Sequence, residues 1–280
     1  MINFNEKIVE DDLLMSINNR GFNYGDALFE TIKVSHGKLL FWEDHYFRLM
    51  ASMRLMRMEI PMNFTMTFLE NQIQELLKAN ELQNISSRVK LVVYRKEGGL
   101  YLPNTNDVGF VITASQLDDD FYLLKNDSYE VDLFKDFYIS PSLLSTLKSN
   151  NKAINVVGSI YAKENDLQNC LLLNTDKKVV EFLNGNIFVV KDNVIKTPPL
   201  TDGCLKGIMR KQLIEILQQL SEYEILESSI SPFELQKADE IWMTNVITGI
   251  QPVTKYRKKY FESNVSKVVL QKLNVKMRLN

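Results

Sequence analysis

Three short segments in the second half of the chain carry residue types that could perform covalent chemistry. Lys148 lies in LLSTLKSNN, Glu181 in VVEFLNGNIFVV, and Gly207 opens the predicted helix in TPPLTDGCLKGIMR. In that order they supply an amine nucleophile, a carboxylate among apolar neighbours, and a helix N-terminus whose N–H groups bind anions. Pyridoxal 5'-phosphate needs a Schiff-base lysine, a partner for its pyridine nitrogen and a phosphate cup, so the combination predicts this cofactor.

Each of the three residues also has an ordinary structural interpretation. Most lysines are solvated, whereas a lysine between a strand and a helix, as predicted for Lys148, can place its amine in a cleft. Glu181 is either paired with a cationic partner or exposed on the solvent face of its strand, because burying an unpaired carboxylate is costly. A glycine before a helix is common, so Gly207 alone indicates little. Only the ordered set of three favours the cofactor site.

Two other segments could contribute to binding a phosphate group. Thr244 and Asn245 follow the predicted strand EIWM and could supply a hydroxyl and further backbone donors. His45 and Arg48 lie three positions apart on one predicted helix, so they share a face. The guanidinium of Arg48 could make a forked contact with phosphate oxygens. Two acidic neighbours in the same helix favour a solvated face instead.

The predicted strand RVKLVVYR carries cations on one face. Strand alternation places Arg88, Lys90 and Tyr94 on the same side of the sheet. The two cations could bind a substrate carboxylate, or they could simply face water.

The elements that must position these residues are mixed strands and helices. In the first part, MINFNEKIV reads as an edge strand, ALFETIKV and LLFW as a hairpin, and RVKLVVYR and DVGFVITASQ as strands, with helices at 42–58 and 66–79. The second part has the strand VDLFKDFYI, a helix from about 151 to 165, the hairpins NCLLLN-TDKK-VVEF and NIFVV-KDN-VIKT, the helix KGIMRKQLIEILQQL and the strand EIWMTNVITGIQPV. The acidic segment QLDDDFY predicts a division into lobes 1–118 and 119–280 of an α+β fold, with the site at the lobe junction.

The composition excludes several classes of protein. With 280 residues, 45% hydrophobic and 24% charged, the chain is long and apolar enough to bury large cores, as a soluble globular protein does. A formal net charge of −2 gives no reason to expect a nucleic acid or an anionic membrane as partner. Two cysteines and two histidines are too few for a disulfide framework or a histidine-built zinc site. The acidic N-terminus lacks the apolar core of a signal peptide, so we expect a cytoplasmic protein that binds no metal.

Taken in order, the segments resemble the class-IV aminotransferase family, the pyridoxal-phosphate enzymes of fold-type IV. The matching stretches are RGFNYGDALFETIKV, FWEDHYFRL, LKSNN, VVEFLNGNIFVVKDNVIKTPPLTDGCLKGIMR and MTNVITGIQPV. The resemblance implies that Lys148 forms the Schiff base, that Glu181 pairs with the pyridine nitrogen, and that the protein is a homodimer with substrate entering between the lobes. The residues that it implies around the cofactor phosphate are Arg48, Gly207, Ile208, Met209, Thr244 and Asn245.

The family includes branched-chain aminotransferases, D-amino-acid aminotransferases and 4-amino-4-deoxychorismate lyases. LFETIKV resembles the lyase branch, in which a threonine stands at the position of Thr31, and MTNVITGIQPV also resembles that branch. The hydroxyl of Thr31 could orient a proton donor or the substrate amine. The lyase substrate has two carboxylates, for which Lys33, Arg88 and Lys90 are candidate partners.

Three positions depart from the family pattern. Leu100 replaces an expected arginine in RKEGGLYLP, Lys33 stands where an arginine is usual, and Phe182 stands where a small residue is common. The phenyl ring of Phe182 either narrows the pocket or points into the core. The departures leave the cofactor chemistry intact. Our leading hypothesis is therefore a lyase that forms 4-aminobenzoate and pyruvate, with an amino-acid aminotransferase and a catalytically silent cofactor-binding scaffold as alternatives.

Overall fold

The computed structural model describes residues 1–10, 15–125 and 127–279, which form two compact units. The first unit comprises Met1–Phe121 and Lys148–Asn151, and the second comprises Tyr122–Leu147 and Lys152–Asn280. The segment that carries Lys148 thus belongs to the first unit, although the chain on both sides of it belongs to the second. The division of the chain into lobes 1–118 and 119–280, which was inferred from the sequence, stays a prediction.

The first unit contains a six-stranded antiparallel sheet with the strand order β2-β1-β6-β5-β3-β4. Its strands are β1 (Ile2–Phe4), β2 (Lys7–Val9), β3 (Ala27–Ser35), β4 (Lys38–Leu39), β5 (Ser87–Arg95) and β6 (Val108–Gln116). Its helices are α1 (Arg20–Tyr24), α2 (Trp42–Leu55) and α3 (Met66–Ala79).

The core of this unit follows from the alternation of β3. Leu28, Ile32 and Val34 are fully or almost fully buried on one face of the strand, against which α2 packs. Leu49 and Met53, one helical turn apart, are buried on α2. The predicted β3–β4 hairpin is confirmed, and positive φ angles at His36 and Gly37 form its tight turn.

Two predicted boundaries in the first unit are wrong. The N-terminal segment is a hairpin of two short strands, because Asn5 and Glu6 both take positive φ and reverse the chain. LLFW does not continue as a strand, since Phe41, with a φ of 56°, is the N-cap of α2.

The second unit contains a ten-stranded mixed sheet whose main path is β12-β11-β10-β9-β8-β7-β15-β16, with β13 pairing with both β10 and β14. Its strands are β7 (Glu130–Ile139), β8 (Asn169–Asn174), β9 (Val179–Phe182), β10 (Gly185–Lys191), β11 (Val194–Thr197), β12 (Glu224–Glu227), β13 (Glu240–Asn245), β14 (Gly249–Pro252), β15 (Lys255–Tyr256) and β16 (Lys259–Tyr260). Its helices are α4 (Ala153–Glu164), α5 (Ile208–Leu217), α6 (Pro232–Lys237) and α7 (Asn264–Leu279).

Both predicted hairpins of the second unit, β8–β9 and β10–β11, are confirmed as antiparallel pairs. The late strand EIWMTNVITGIQPV is instead two antiparallel strands, β13 and β14, joined at residues 246–248. A core of apolar side chains from β7 to β10 and β13 lies on one face of the sheet, and it includes Leu171, Phe182, Ile187 and Met243. Among the described residues, none of the helices is long and apolar enough to cross a membrane.

Candidate active site

Lys148 is held against the edge of β3 by backbone hydrogen bonds. The Phe29 N–H donates to the Lys148 carbonyl at 2.8 Å, and the Asn150 N–H donates to the Ala27 carbonyl at 3.0 Å. These bonds flank an antiparallel bridge between Leu28 and Ser149, so Lys148 lies opposite Phe29. Opposite residues of an antiparallel pair share a face. The Lys148 side chain, which is half-buried, therefore lies on the Phe29 face of the sheet.

That face carries a second ammonium group beside the first. The Nζ atom of Lys148 lies 4.4 Å from the centroid of the Phe29 ring, and the Nζ atom of Lys90 lies 5.1 Å from it. Lys90 is the direct cross-strand partner of Thr31, which is two residues after Phe29 and on the same face. The structure thus places the ammonium groups of Lys148 and Lys90 near one aromatic ring, with Thr31 on the same face of the sheet.

The other predicted substrate-binding residues lie further along the same face. Lys33 is buried, and its ammonium donates to the Asp119 carbonyl at 2.9 Å. Burial lowers the pKa of Lys33, although the charges of Asp119 and Asp120 oppose this shift. Arg88, opposite Lys33, is exposed. The hydroxyl of Tyr94 accepts a hydrogen bond from the Asn5 amide at 3.2 Å.

The opposite face of β3 carries a buried ionic cluster that was not expected from the sequence. Arg48 Nε donates to Glu30 Oε1 at 2.8 Å, and a second guanidinium nitrogen contacts Oε2. His45 Nδ1 lies 2.7 Å from the same Oε2 atom. Burial alone would raise the pKa of Glu30, but the Arg48 charge and the hydrogen bonds from His45 and Arg48 lower it to about 2. The solvated interpretation of the His45–Arg48 helix face is therefore wrong.

His45 has one nitrogen directed to Glu30 and one with no hydrogen-bond partner. Its pKa is lowered, chiefly by burial and also by the charges of Arg48 and Lys148, although Glu30 opposes the shift. A neutral ring that donates from Nδ1 to the Glu30 carboxylate has a lone pair on Nε2. Within the part of the chain that the structure describes, this buried Nε2 atom meets no donor.

In the second unit, Glu181 lies in a row of polar residues across three strands. Asn186 on β10 is the direct partner of Glu181 on β9 and, on its other edge, of Thr244 on β13. Glu181 Oε2 accepts a hydrogen bond from the Leu205 N–H at 2.8 Å, and the Asn186 amide donates to the Leu205 carbonyl at 2.9 Å. Asn186, which the sequence analysis did not single out, therefore lies at the centre of the predicted cofactor residues of this unit.

The loop after Leu205 leads directly into the N-terminus of α5. Gly207 is the N-cap, without a side chain to satisfy the first N–H groups, and Ile208 and Met209 are the first helical residues. A Cβ atom at Gly207 would lie 1.9 Å from Asn186 Oδ1, so only glycine fits without displacing the amide. The N–H groups of the first turn and the helix dipole form a cradle suited to a phosphate.

The ends of β13 and β10 hold the remaining predicted phosphate residues. The hydroxyl of Thr244 is 3.5 Å from the Asn186 carbonyl, at the limit of a hydrogen bond. Asn245 donates from its amide to the Asn184 carbonyl at 3.1 Å, while its oxygen accepts the N–H groups of Ile247 and Thr248. Asn245 thereby fixes the β13–β14 turn.

Two departures from the family pattern are resolved by the structure. Phe182 is completely buried in the core on the face opposite Glu181, because successive strand residues alternate. Leu100 is 76% exposed on a turn whose carbonyls are held by the Arg20 guanidinium. Of the two interpretations of Phe182, the core position is correct.

The donor set fits pyridoxal 5'-phosphate. The two units contain an amine on a partly buried lysine, a carboxylate that already accepts one N–H bond, an arginine held by a buried carboxylate, and a glycine-capped helix N-terminus. The described residues include no group of three or more His, Cys, Asp or Glu side chains able to hold a metal ion.

Comparison with known proteins gives consistent results. The Amino-transferase class IV family profile matches residues 27–256. An aminodeoxychorismate lyase of Vibrio harveyi is 30% identical over 241 residues, covering 85% of this chain and 86% of the relative. A D-alanine aminotransferase of Bacillus licheniformis is 27% identical over 262 residues, covering 90% and 86%. The structure of the branched-chain aminotransferase from Thermoproteus uzoniensis with norvaline has a TM-score of 0.86 at 23% identity, covering 97% of this chain and 92% of that one.

Proposed function

Because the chain belongs to the class-IV aminotransferase family, we propose that it is a lyase that converts 4-amino-4-deoxychorismate to 4-aminobenzoate and pyruvate. The family, the fold-type IV class and the pyridoxal-phosphate cofactor expected from the sequence are confirmed. The observation that carries the choice of substrate is the second ammonium group, Lys90, which shares the Phe29 ring with Lys148 and has Thr31 as its cross-strand partner.

The proposed cofactor contacts follow from the donor set. Lys148 supplies the amine that attaches the cofactor, and Glu181 supplies the carboxylate for the pyridine nitrogen. The residues assigned to the phosphate, partly through backbone N–H groups, are Arg48, Gly207, Ile208, Met209, Thr244 and Asn245. Arg48 suits this role because Glu30 fixes the orientation of its guanidinium and because the planar fork of donors matches phosphate oxygens.

The protein residues have defined tasks in the reaction. The cofactor, when bound, supplies an electron sink for the carbon that carries the substrate amine. Nζ of Lys148 removes the proton from that carbon. The six-membered carbon ring of the substrate then becomes aromatic as its C–O bond to the enolpyruvyl group breaks. The same Nζ then holds the proton that converts the departing enol to pyruvate. The Thr31 hydroxyl, on the same face, orients the substrate amine.

Recognition of the two substrate carboxylates is assigned to cations on the open face of the sheet. Lys90 is the best placed, since its ammonium lies beside the same ring as that of Lys148. Arg88, exposed two residues earlier on the same strand face, is suited to the second carboxylate. Lys33 is the weaker candidate because its ammonium already donates to the Asp119 carbonyl. Tyr94 lies on the same face of the strand and is assigned to the border of the substrate site.

A second candidate function is amino-acid transamination, most simply of a D-amino acid. It is supported by the similarity to the Bacillus licheniformis D-alanine aminotransferase and by the exposed Leu100 at the position of an expected arginine. In this reaction Lys148 would return the proton to the cofactor rather than to a leaving group. The product would be a keto acid.

The proposed assembly is a homodimer in the cytoplasm. Leu100, Tyr101 and Leu102 form a turn whose apolar side chains are 76%, 90% and 84% exposed. The Arg20 guanidinium donates hydrogen bonds to backbone carbonyls of this turn, those of Gly98 and Leu100. Exposed apolar turns of this kind are typical of protein–protein contacts. The two cysteines are buried and unlinked, which agrees with a reducing compartment.

One experiment separates the candidate functions. The purified holoenzyme is mixed in single-turnover amounts with 4-amino-4-deoxychorismate or with each member of a panel of L- and D-amino acids. Pyruvate and 4-aminobenzoate formed from the first compound, without spectral change from the amino acids, support the lyase. Loss of the cofactor's visible absorbance with an amino acid, and its recovery with a keto acid, would instead identify an aminotransferase.

A further inference from the structure

Asn186 is the only member of the Glu181–Asn186–Thr244 row, within the described chain, for which the family resemblance implies no role. It is 4% exposed at the centre of the sheet, with β9 paired on one edge of its strand and β13 on the other. A buried amide must have hydrogen-bond partners. The side-chain nitrogen of Asn186 finds its partner in the backbone of Leu205, outside the sheet.

Both backbone polar groups of Leu205 are held by this row. Its N–H donates to Glu181 Oε2 at 2.8 Å, and its carbonyl accepts from Asn186 Nδ2 at 2.9 Å. Since Glu181 and Asn186 are direct cross-strand partners, the sheet register sets the spacing of the two contacts. The two groups belong to the adjacent peptide units on either side of the Leu205 Cα atom, so the two contacts together fix the backbone on both sides of that atom.

The side-chain oxygen of Asn186 constrains the backbone at Gly207, two residues after Leu205. The space that a side chain at Gly207 would occupy is filled by Asn186 Oδ1, 1.9 Å from an ideal Cβ position. The backbone therefore passes directly over the amide on its way into α5. One side chain thus borders both the carboxylate contact and the start of the anion-binding helix.

We propose that Asn186 is a positioning residue for the cofactor, which acts through the backbone of Leu205 on Glu181 and on the first turn of α5. This inference rests on the proposed role of Glu181. A hydrogen bond from the Leu205 N–H favours the charged form of the carboxylate. Without the Asn186 amide, the Leu205 carbonyl loses its donor and the backbone around the Leu205 Cα atom loses one of its two anchors. The contact from the Leu205 N–H to Glu181 then weakens, and the carboxylate becomes a more basic partner for the pyridine nitrogen.

The test compares Asn186→Ala with Asn174→Ala. Asn174 is a matched control, because it is a buried strand asparagine whose amide donates to the carbonyl of Asp202 in the same loop, three residues before Leu205. Two quantities are measured: the dissociation constant of pyridoxal 5'-phosphate from the apoprotein, and the pH midpoint of the bound cofactor's visible absorbance. The same measurements are made with Glu181→Gln and with the Asn186→Ala/Glu181→Gln double variant.

The expected result for Asn186→Ala is an increase of about tenfold in the dissociation constant, the effect of one lost hydrogen bond, together with a shifted midpoint. That midpoint shift should be absent when the second substitution is made in the Glu181→Gln background, because no carboxylate remains to be tuned. Asn174→Ala should lower the melting temperature while both cofactor quantities stay within about twofold of the wild type.

Two results would overturn the proposal. One is equal behaviour of the Asn186 and Asn174 variants, which would make Asn186 merely structural. The other is a midpoint shift that persists without the Glu181 carboxylate. If Glu181→Gln by itself changes neither midpoint nor turnover, the proposed role of Glu181 fails, and this inference fails with it. Should Asn186→Ala not fold, Asn186→Leu replaces it, since leucine has a similar size, carries no charge and has no hydrogen-bond donor.

Discussion

Glu181 and Asn186 lie directly opposite each other on neighbouring strands and together hold both backbone polar groups of one residue, Leu205. The Glu181 carboxylate accepts a hydrogen bond from the Leu205 N–H, and the Asn186 amide donates one to the Leu205 carbonyl. A carboxylate that accepts a hydrogen bond from a fixed backbone donor is held in one orientation. The arrangement therefore suits a residue that must meet one ligand nitrogen in a fixed orientation.

The first prediction concerns the amine of Lys148. Lys148→Ala should abolish the visible absorbance of the bound cofactor and reduce turnover by at least about 10³-fold, because the covalent attachment and the proton-transferring amine are both lost. Absorption spectra of the purified variant and a product assay measure the two effects. Lys163→Ala, which removes an exposed lysine from the last turn of α4, is the control and should behave as the wild type. An unchanged spectrum for Lys148→Ala would disprove the assignment.

The second prediction concerns the charge of Glu181. Glu181→Gln keeps the shape and a hydrogen-bonding oxygen for the Leu205 N–H, so the variant should retain the cofactor. It should lose about 10²-fold in turnover, because a neutral amide cannot keep the pyridine nitrogen protonated. Cofactor content and kcat are measured on the same preparation. Wild-type turnover in this variant would exclude the proposed pairing.

The third prediction concerns substrate recognition by Lys90. Lys90→Ala should raise KM for the dicarboxylate substrate by about 10- to 100-fold, the effect of losing one charge-assisted hydrogen bond, with a smaller change in kcat. Steady-state kinetics would show this. Lys96→Ala, an exposed lysine just after β5, is the control and should leave KM unchanged. A fall in kcat at constant KM would place Lys90 in the chemistry instead of in binding.

The fourth prediction concerns stability in acid. The pKa of Glu30 is lowered from 4.5 to about 2 and the pKa of His45 is lowered from 6.5, so the unfolded chain takes up both protons first as the pH falls. The stability contributed by His45 is complete above its ordinary pKa and is lost below about pH 6.5; that of Glu30 is lost between about pH 4.5 and pH 2. Urea unfolding followed from about pH 8 to pH 3 should therefore show a decreasing free energy of unfolding.

Glu30→Gln tests the source of the acid sensitivity. It should lower the free energy of unfolding at neutral pH by about 3–5 kcal/mol, because Arg48 loses its buried partner. It should also weaken the pH dependence below about pH 4.5. Glu43→Gln removes an exposed carboxylate from the first turn of the same helix and should change neither. A variant that keeps the full acid sensitivity would mean that other carboxylates cause it.

The sequence predicted the candidate cofactor-binding residues better than it predicted the tertiary contacts. Lys148, Glu181 and Gly207 were recognisable from residue type and order alone, and the hairpins from strand alternation and turn residues. Glu30 was missed, although an acid between Leu28 and Ile32 on an apolar strand face is a signal that a partner must exist. Its partners could not be assigned because they depend on how α2 packs on β3, which no local pattern specifies.

Asn186 was missed for a related reason. A polar residue at the start of an apolar strand looks like an ordinary strand end. Its importance arises because β10 pairs with β9 on one edge and with β13 on the other, and β13 comes some fifty residues later in the chain. Pairing between strands so distant in sequence is decided by the whole sheet.

The short bridge that holds Lys148 against β3 makes the enzyme sensitive to the number of residues in the chain as well as to their identity. Side chains alternate along that bridge, so a slip of one position would put Ser149 beside Phe29 and turn the lysine toward the face where Glu30 lies. An insertion or deletion of a single residue that shifts this register would leave every functional side chain present and still remove the reactive amine from its place. Loops elsewhere can change in length during evolution, but the number of residues at this bridge decides on which face of the sheet the Lys148 side chain lies.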